Sequence, residues 1–246
     1  MNWANQPQTL IDDFRLLKNF HSILRHGGKI LISIMPFSGL NKKTGLLDTY
    51  KYVGTMDWTL LDPVFRDEAI ALRENPLRWG KKKALRQIVS HFLGREKPKP
   101  LLNGAMDEHN PMTEEEMAED AQRMMDGWAA EFGINDFDEP LSEVNRQGRE
   151  IRINVLKELI DFSTERGYEP IVVILPVAKQ LANLFSEAFR EKYIYSFLRS
   201  VEPEVRTLDY LHDETFQDPA LYFNSFCLNK RGREMFSTDV CSRIVQ

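Results

Sequence analysis

The chain has 246 residues, and 32 Lys and Arg against 37 Asp and Glu give it a net charge of −5 at pH 7. With 42% hydrophobic and 28% charged residues, its composition is typical of globular proteins and excludes a disordered chain. The acidic balance argues against a nucleic-acid-binding protein, and two cysteines, Cys227 and Cys241, are too few for a disulfide framework.

The N-terminal part of the chain predicts a helix followed by a buried strand. Apolar residues recur at steps of three and four along residues 8–26, and Gly27 and Gly28 end this pattern. Residues 29–35 then form an apolar run rich in Ile, which Pro36 ends. A helix, a glycine turn and a buried strand together make half of an α/β unit.

Residues 41–145 differ in composition from the segments on either side, and nothing in them is typical of a strand of the main sheet. They contain most of the methionines and three of the four tryptophans. Thr113 followed by Glu116 is a capping box, which predicts a helix from there to Phe132. We therefore expect a long, mostly helical insertion over one end of the sheet.

The alternation of helices and strands resumes after the insertion. The predicted elements are helices at 147–166, 186–201 and 229–245, and strands at 169–175 and 205–210. This alternation predicts an α/β fold with a mostly parallel sheet and helices on both faces. The whole chain, residues 1–246, is expected to form a single domain.

Functional residues of an open parallel sheet lie beyond the carboxyl ends of its strands. Three loops occupy that position in the predicted fold, namely residues 36–39, 176–179 and 211–228. The candidate residues of a cleft at this edge are Ser38, Lys179, His212 and Asn229.

The last loop and helix resemble the C-terminal block of the SGNH/GDSL hydrolase superfamily. The similarity rests on Leu228 and Asn229, on Gly232 and on the apolar Phe236. It is greatest to the branch associated with acyl transfer to cell-surface polysaccharides and with D-alanylation of teichoic acids. The resemblance implies a three-layer, flavodoxin-like fold and a relationship to esterases and O-acyltransferases that need no cofactor.

The resemblance also implies that the catalytic triad is absent from its expected places. The family's Asp falls on Asn224 and its His on Cys227. An amide cannot stabilise an imidazolium as a carboxylate does, and a thiol cannot replace the imidazole base. The family's nucleophilic Ser follows a first strand that would precede Met1, so both are expected to be missing from this chain.

The motif Gly133–Ile134–Asn135–Asp136 is similar to the family's Gly-x-Asn-Asp block, whose Asn helps to form an oxyanion hole. It lies within the insertion and follows no predicted strand, whereas an oxyanion donor must lie close to the nucleophile. We therefore interpret Gly133 as a helix stop and the Asn–Asp pair as a turn.

A cysteine nucleophile is the sharpest alternative. Cys227 follows His212 in the same loop, with Asp209 and Asp213 close in sequence, and an imidazole can generate the thiolate that acyl transfer needs. The favoured interpretation is a half-buried, unreactive Cys227 at the start of the last helix.

Other patterns favour structural roles. No metal site is predicted, because no metal-ligand spacing links the remaining histidines, which are His21, His26, His91 and His109. Three consecutive lysines, residues 81–83, are interpreted as a solvated face. Packing is favoured over a sugar-stacking platform for the tryptophans of the insertion, Trp58, Trp79 and Trp128.

Three functions remain open from the sequence. The first is a degenerate or incomplete, inactive relative of enzymes that acylate or deacylate cell-surface polysaccharides. The second is an active serine esterase or O-acyltransferase whose Ser-bearing N-terminus is absent from this sequence. The third is a non-catalytic module that binds glycans.

The expected surroundings follow from the same features. The longest apolar stretches, 30–37 and 171–178, are far shorter than the ~20 residues that span a bilayer, and the N-terminus lacks a signal peptide. A cytoplasmic location is expected, or cell-envelope association if an N-terminal anchor is missing. The expected partners are a polysaccharide or an acyl-carrying substrate, with self-association through the exposed edge of strand 29–35.

Overall fold

The computed structural model of the chain describes residues 9–75, 112–201 and 204–245. The chain divides into two compact units, Met1–Leu24 with Lys43–Pro100 and Arg25–Lys42 with Leu101–Gln246. The insertion expected at residues 41–145 thus contributes to both units. The single domain expected over the whole chain stays a prediction.

The first unit is helical in its described part. It contains α1 (Leu10–Phe20), α2 (Leu46–Tyr50) and α3 (Arg66–Glu74). A capping box between Thr9 and Asp12 starts α1. The helix expected over residues 8–26 is shorter than predicted, because the chain tightens into a 3-10 turn after Phe20. The core of this unit consists of Leu16, Tyr52, Val53, Met56, Leu61 and Ala69.

The second unit contains the sheet. Its strands are β1 (Lys29–Ile34), β2 (Glu169–Ile174) and β3 (Thr207–Asp209), and they lie in the order β1-β2-β3. Both pairings are parallel. The predicted α/β class and parallel sheet are therefore confirmed, and each strand lies within the apolar run that predicted it.

Six helices are described in the second unit, namely α4 (Glu114–Phe132), α5 (Glu143–Glu165), α6 (Lys179–Ala182), α7 (Glu187–Arg190), α8 (Ser196–Arg199) and α9 (Lys230–Val245). Of these, α4, α5 and α9 lie at predicted positions, and α6 was not predicted. The predicted capping box of Thr113 and Glu116 is present at the start of α4. The helix predicted over residues 186–201 is instead three segments, because a π-helical turn (Glu191–Tyr195) separates α7 from α8.

The core of the second unit lies on both faces of β2. Ile171 and Val173 pack in one cluster with Met117 of α4 and Val240 of α9. Successive strand residues point to opposite faces, and the intervening Val172 is fully buried as well. A strand buried on both faces explains why its sequence is continuously apolar rather than alternating.

β1 forms an edge of this sheet. Its register pairs Ile32 with Val172, and within the described residues no strand pairs with its other side. The side chain of Leu31 is 43% exposed, which is unusual for a large apolar residue of a strand. Self-association through this edge stays a prediction.

Two glycines in long helices predict opposite effects of the same substitution. A Cβ at Gly148 of α5 would lie 2.8 Å from Cα and 2.9 Å from N of Asn41, whereas a Cβ at Gly127 of α4 would meet nothing within 4 Å. We expect Gly148→Ala to lower the free energy of unfolding by about 2 kcal/mol, because backbone atoms must move. Gly127→Ala should raise it by about 0.5–1 kcal/mol through helix propensity. Chemical denaturation measures both, and equal effects of the two substitutions would contradict this packing.

Candidate functional site

The three loops that follow the strands meet at the carboxyl-end edge of the sheet. β1 leads into residues 36–39, β2 into residues 175–178, and β3 into residues 210–229. The second and third loops are joined directly, because the Ala178 amide donates a 2.9 Å hydrogen bond to the Ser225 carbonyl oxygen. The predicted convergence of loops is therefore present at least for these two.

Aromatic rings fill part of this edge. Phe37, directly after β1, is only 6% exposed, and its ring centroid lies 5.0 Å from that of Trp128 and 5.3 Å from that of Tyr193. Offset and edge-on ring pairs at such distances add about 0.5–1.5 kcal/mol each beyond simple burial. We call this group the Phe37 cluster; its members are Phe37, Trp128, Phe132, Phe137, Phe185, Phe189, Tyr193 and Phe226.

The Phe37 cluster decides the role of one tryptophan. Trp128 packs against Phe37 and, edge-on at 5.2 Å, against Phe226. This agrees with the packing interpretation rather than with a sugar-stacking platform. In the first unit, the packing interpretation is wrong for Trp58, which is 61% exposed, with the Arg66 guanidinium 5.3 Å from its ring centroid. Trp79 lies outside the described residues.

A buried carboxylate anchors the third loop to α4. Asp120 is 1% exposed, and its Oδ2 accepts hydrogen bonds from the Ser225 amide at 2.9 Å and the Ser225 hydroxyl at 2.6 Å. Its other carboxylate oxygen pairs with Arg123. Buried charges are tolerated where both oxygens are paired in this way. Asp120 thus fixes the position of the loop that carries Asn224 and Cys227.

Asn224 and Cys227, which the resemblance aligns with a catalytic acid and base, belong to one tight turn. Oδ1 of Asn224 accepts hydrogen bonds from the amides of Phe226 at 3.0 Å and Cys227 at 2.6 Å. This is an Asx turn, in which the side chain replaces a backbone acceptor. Both residues are half-buried. The side chain of Asn224 thus holds the backbone of its own loop in place.

The predicted cleft residues do not form one constellation. Ser38 Oγ accepts the Met35 amide at 2.9 Å and closes the turn after β1. Asn229 Oδ1 accepts the Gly232 amide at 3.0 Å and thereby caps α9. Lys179 is exposed at the first position of α6. Within the described ranges, no hydrogen bond joins any two of these residues or joins them to His212.

The nucleophile and base of the thiol alternative are not joined by a hydrogen bond either. In the described part of the chain, His212 makes no hydrogen bond to Cys227. Asp213 is held by Arg243 of α9 at 2.6 Å and by the Thr215 amide at 3.0 Å. Asp213 therefore anchors the start of the loop to the last helix rather than orienting an imidazole.

A polar group lies where β3 ends. The Tyr195 hydroxyl donates a 2.9 Å hydrogen bond to Oδ2 of Asp209, and Oδ1 of Asp209 accepts the Leu211 amide at 2.9 Å. Arg190 acts electrostatically on both Tyr195 and His212, and Asp209 acts on His212. We call Arg190, Tyr195, Asp209 and His212 the β3-end group.

The charges of this group perturb two of its members. Burial lowers the pKa of His212 below its usual value, the positive charge of Arg190 lowers it further, and Asp209 opposes both. Burial and the hydrogen bond to Asp209 raise the pKa of Tyr195 to about 12. At neutral pH the imidazole of His212 is therefore mainly neutral, and Tyr195 remains a hydrogen-bond donor.

The sequence pointed to Asp209 and His212 but missed Arg190 and Tyr195. Arg190 ends α7 and Tyr195 ends the π-helical turn that follows, in which the Ser196 amide donates to the Glu191 carbonyl, five residues back. The turn therefore sets the placement of these two residues relative to each other. Such turns shift the following side chains around the helix axis and are frequent at functional sites. No composition or periodicity signals this turn, so local sequence patterns could not have found these two residues.

A cavity of about 440 Å³ lies beside the Phe37 cluster. It is lined by Met125, Asn135, Asp136, Phe137, Asp138, Leu184, Ser186 and Phe189.

Gly133 ends α4 in the left-handed conformation, with φ of 61°, which confirms its predicted role as a helix stop. Asn135 and Asp136 follow in an exposed loop, as the turn interpretation predicts.

Comparisons with known protein families, with curated proteins and with solved structures found no match for this chain. Among the described residues, no helix combines the length and apolar character needed to cross a membrane. In the same ranges, no group of three or more His, Cys, Asp and Glu side chains could hold a metal ion. The lysines at 81–83 and the histidines at 91 and 109 lie outside the described residues.

The Asp120 anchor predicts a large loss of stability on truncation. Asp120→Ala should lower the free energy of unfolding by about 3 kcal/mol, because it leaves the buried amide and hydroxyl of Ser225 without their acceptor. Glu119, its exposed neighbour on α4, provides the matched control, and Glu119→Ala should change stability by less than about 0.5 kcal/mol. Denaturant titration checks both, and equal losses would show that the anchor contributes nothing.

Proposed function

We propose that this chain is a non-catalytic relative of the SGNH enzymes that modify cell-surface polysaccharides, with a flavodoxin-like three-layer fold. It would bind its ligand without transferring or hydrolysing an acyl group. The observation that carries this proposal is the Asx turn of Asn224. The residue that aligns with the catalytic acid uses its side-chain oxygen for two backbone amides of its own loop.

The position of the loop supports the relationship to that family. Three residues that carry the resemblance have physical roles at the start of α9. Asn229 caps the helix, and Gly232 lets it approach the chain so closely that a Cβ would overlap the Leu221 carbonyl oxygen. Phe236 packs on Tyr210 with ring centroids 5.0 Å apart. A family that shares this loop and helix would need the same residue types.

The chemistry of the described residues supports a loss of catalysis. General base catalysis requires the base to lie within hydrogen-bond reach of the nucleophile and to be oriented by a third group. At the aligned positions, an amide oxygen already saturated by two donors replaces the carboxylate, and a thiol replaces the imidazole. The imidazole of His212 lies in the electrostatic field of Arg190 and Asp209 and, within the described residues, makes no hydrogen bond to Cys227.

The proposal predicts no esterase turnover. With p-nitrophenyl acetate, the purified full chain should release p-nitrophenol no faster than its Cys227→Ala and Ser38→Ala variants, because an amide and a thiol occupy the positions that align with the family's catalytic acid and base. A spectrophotometric assay at neutral pH measures this rate.

The variants also identify the alternatives. Turnover that Cys227→Ala abolishes and Ser38→Ala leaves intact would contradict the proposal and favour a thiol acyltransferase. Turnover lost only in Ser38→Ala would favour a serine enzyme. Asn224→Asp serves as the folding control, because a carboxylate oxygen can accept the same two amides and should leave the melting temperature almost unchanged.

A further inference from the structure

One cationic side chain of the β3-end group has an unused donor. Nε of Arg190 is buried and has no hydrogen-bond partner among the described residues. A buried guanidinium donor without an acceptor is costly, so such atoms are rare unless a ligand or water completes them. The residue as a whole is only partly buried, so part of its side chain remains open to solvent.

In the described part of the chain, neighbouring acidic residues do not accept a hydrogen bond from the Arg190 guanidinium. Asp209, which acts electrostatically on His212, already accepts one hydrogen bond on each carboxylate oxygen, from the Tyr195 hydroxyl and the Leu211 amide. Glu191, which follows Arg190 in the chain, pairs with Arg199. The carboxylates of Asp209 and Glu191 therefore already have hydrogen-bond donors or an ion-pair partner. The N–H groups of the Arg190 guanidinium remain available to another group.

The location is one where ligands bind in this type of fold. Asp209 is the last residue of β3, and His212 follows in the loop beyond it. The carboxyl ends of parallel strands are the usual ligand-binding edge of α/β sheets. Arg190 is the last residue of α7 and Tyr195 the last residue of the π-helical turn that follows it, a type of turn that is frequent at functional sites.

We propose that the β3-end group binds an oxyanion, the phosphate or carboxylate group of a small ligand. Arg190 would bind the anion through its planar guanidinium, which matches the paired oxygens of both groups. His212 would donate a second hydrogen bond from the exposed side, and Tyr195 holds Asp209 away from the anion. This site does not include Asn224 or Cys227, on which the proposed function rests, so either proposal can fail without the other.

The test is a titration of the full chain with inorganic phosphate and, separately, with acetate. The NMR signal of the His212 imidazole, identified by its loss in His212→Gln, reports binding at constant pH and ionic strength. We expect a saturable shift with phosphate, acetate or both, and none with chloride. Saturation by phosphate alone identifies a phosphate ligand, and saturation by acetate alone identifies a carboxylate.

The variants separate a site from a general charge effect. Arg190→Met should weaken binding at least about tenfold, because a charge-assisted hydrogen bond is lost. Arg190→Lys keeps the charge without the planar fork, should weaken binding less, and replaces the first variant if that one does not fold. Arg199→Met, an exposed arginine of the same helical stretch, should bind as the unmodified chain does. Equal binding in the Arg190 variants, or no saturable shift with either anion, would overturn the proposal.

Discussion

The central physical constraint in this protein is the need to close the carboxyl-end edge of a narrow sheet. Among the described residues the sheet has three parallel strands, and β3 has only three residues. The loops beyond them would leave backbone and apolar groups open to water unless other elements cover them. The Phe37 cluster meets this need, because it joins a residue after β1 to α4, to the helical stretch after β2 and to the loop after β3.

Hydrogen bonds of buried groups fix the geometry of the edge that the Phe37 cluster covers. Ring packing is tolerant of small shifts, whereas hydrogen bonds of a buried carboxylate demand one geometry. Asp120 supplies that geometry by holding both donors of Ser225, and Ala178 fixes the same residue from the loop after β2. The loop after β3 is thereby fixed at Ser225 on the carboxyl-end edge of the sheet, and the polar β3-end group lies where that loop begins.

Local sequence signals predicted the regular elements and failed where the structure depends on distant contacts. The capping box of Thr113 and the glycine stop at Gly133 bound α4 as expected, since both act over a single helical turn. The apolar run at 169–175 correctly predicted β2, because a strand that is buried on both faces has a continuously apolar sequence.

The site was harder to predict. Asn229 is a helix cap and Ser38 closes a turn, roles that compete with catalysis for the same polar residue types. The unused donor of Arg190 and the bond between Tyr195 and Asp209 depend on the π-helical turn and on the register of β3. Neither of these leaves a periodic signal in the sequence.

The most direct test of this account is the stability lost when the ring of Phe37 is removed. Phe37→Ala should lower the free energy of unfolding by about 3–5 kcal/mol, the range for a buried aromatic residue that leaves a cavity, and Phe37→Leu should cost less than half of that. Trp58→Ala, at an exposed aromatic position, should cost less than about 1 kcal/mol. A loss for Phe37→Ala no larger than that for Trp58→Ala would contradict the view that the Phe37 cluster closes this edge of the sheet.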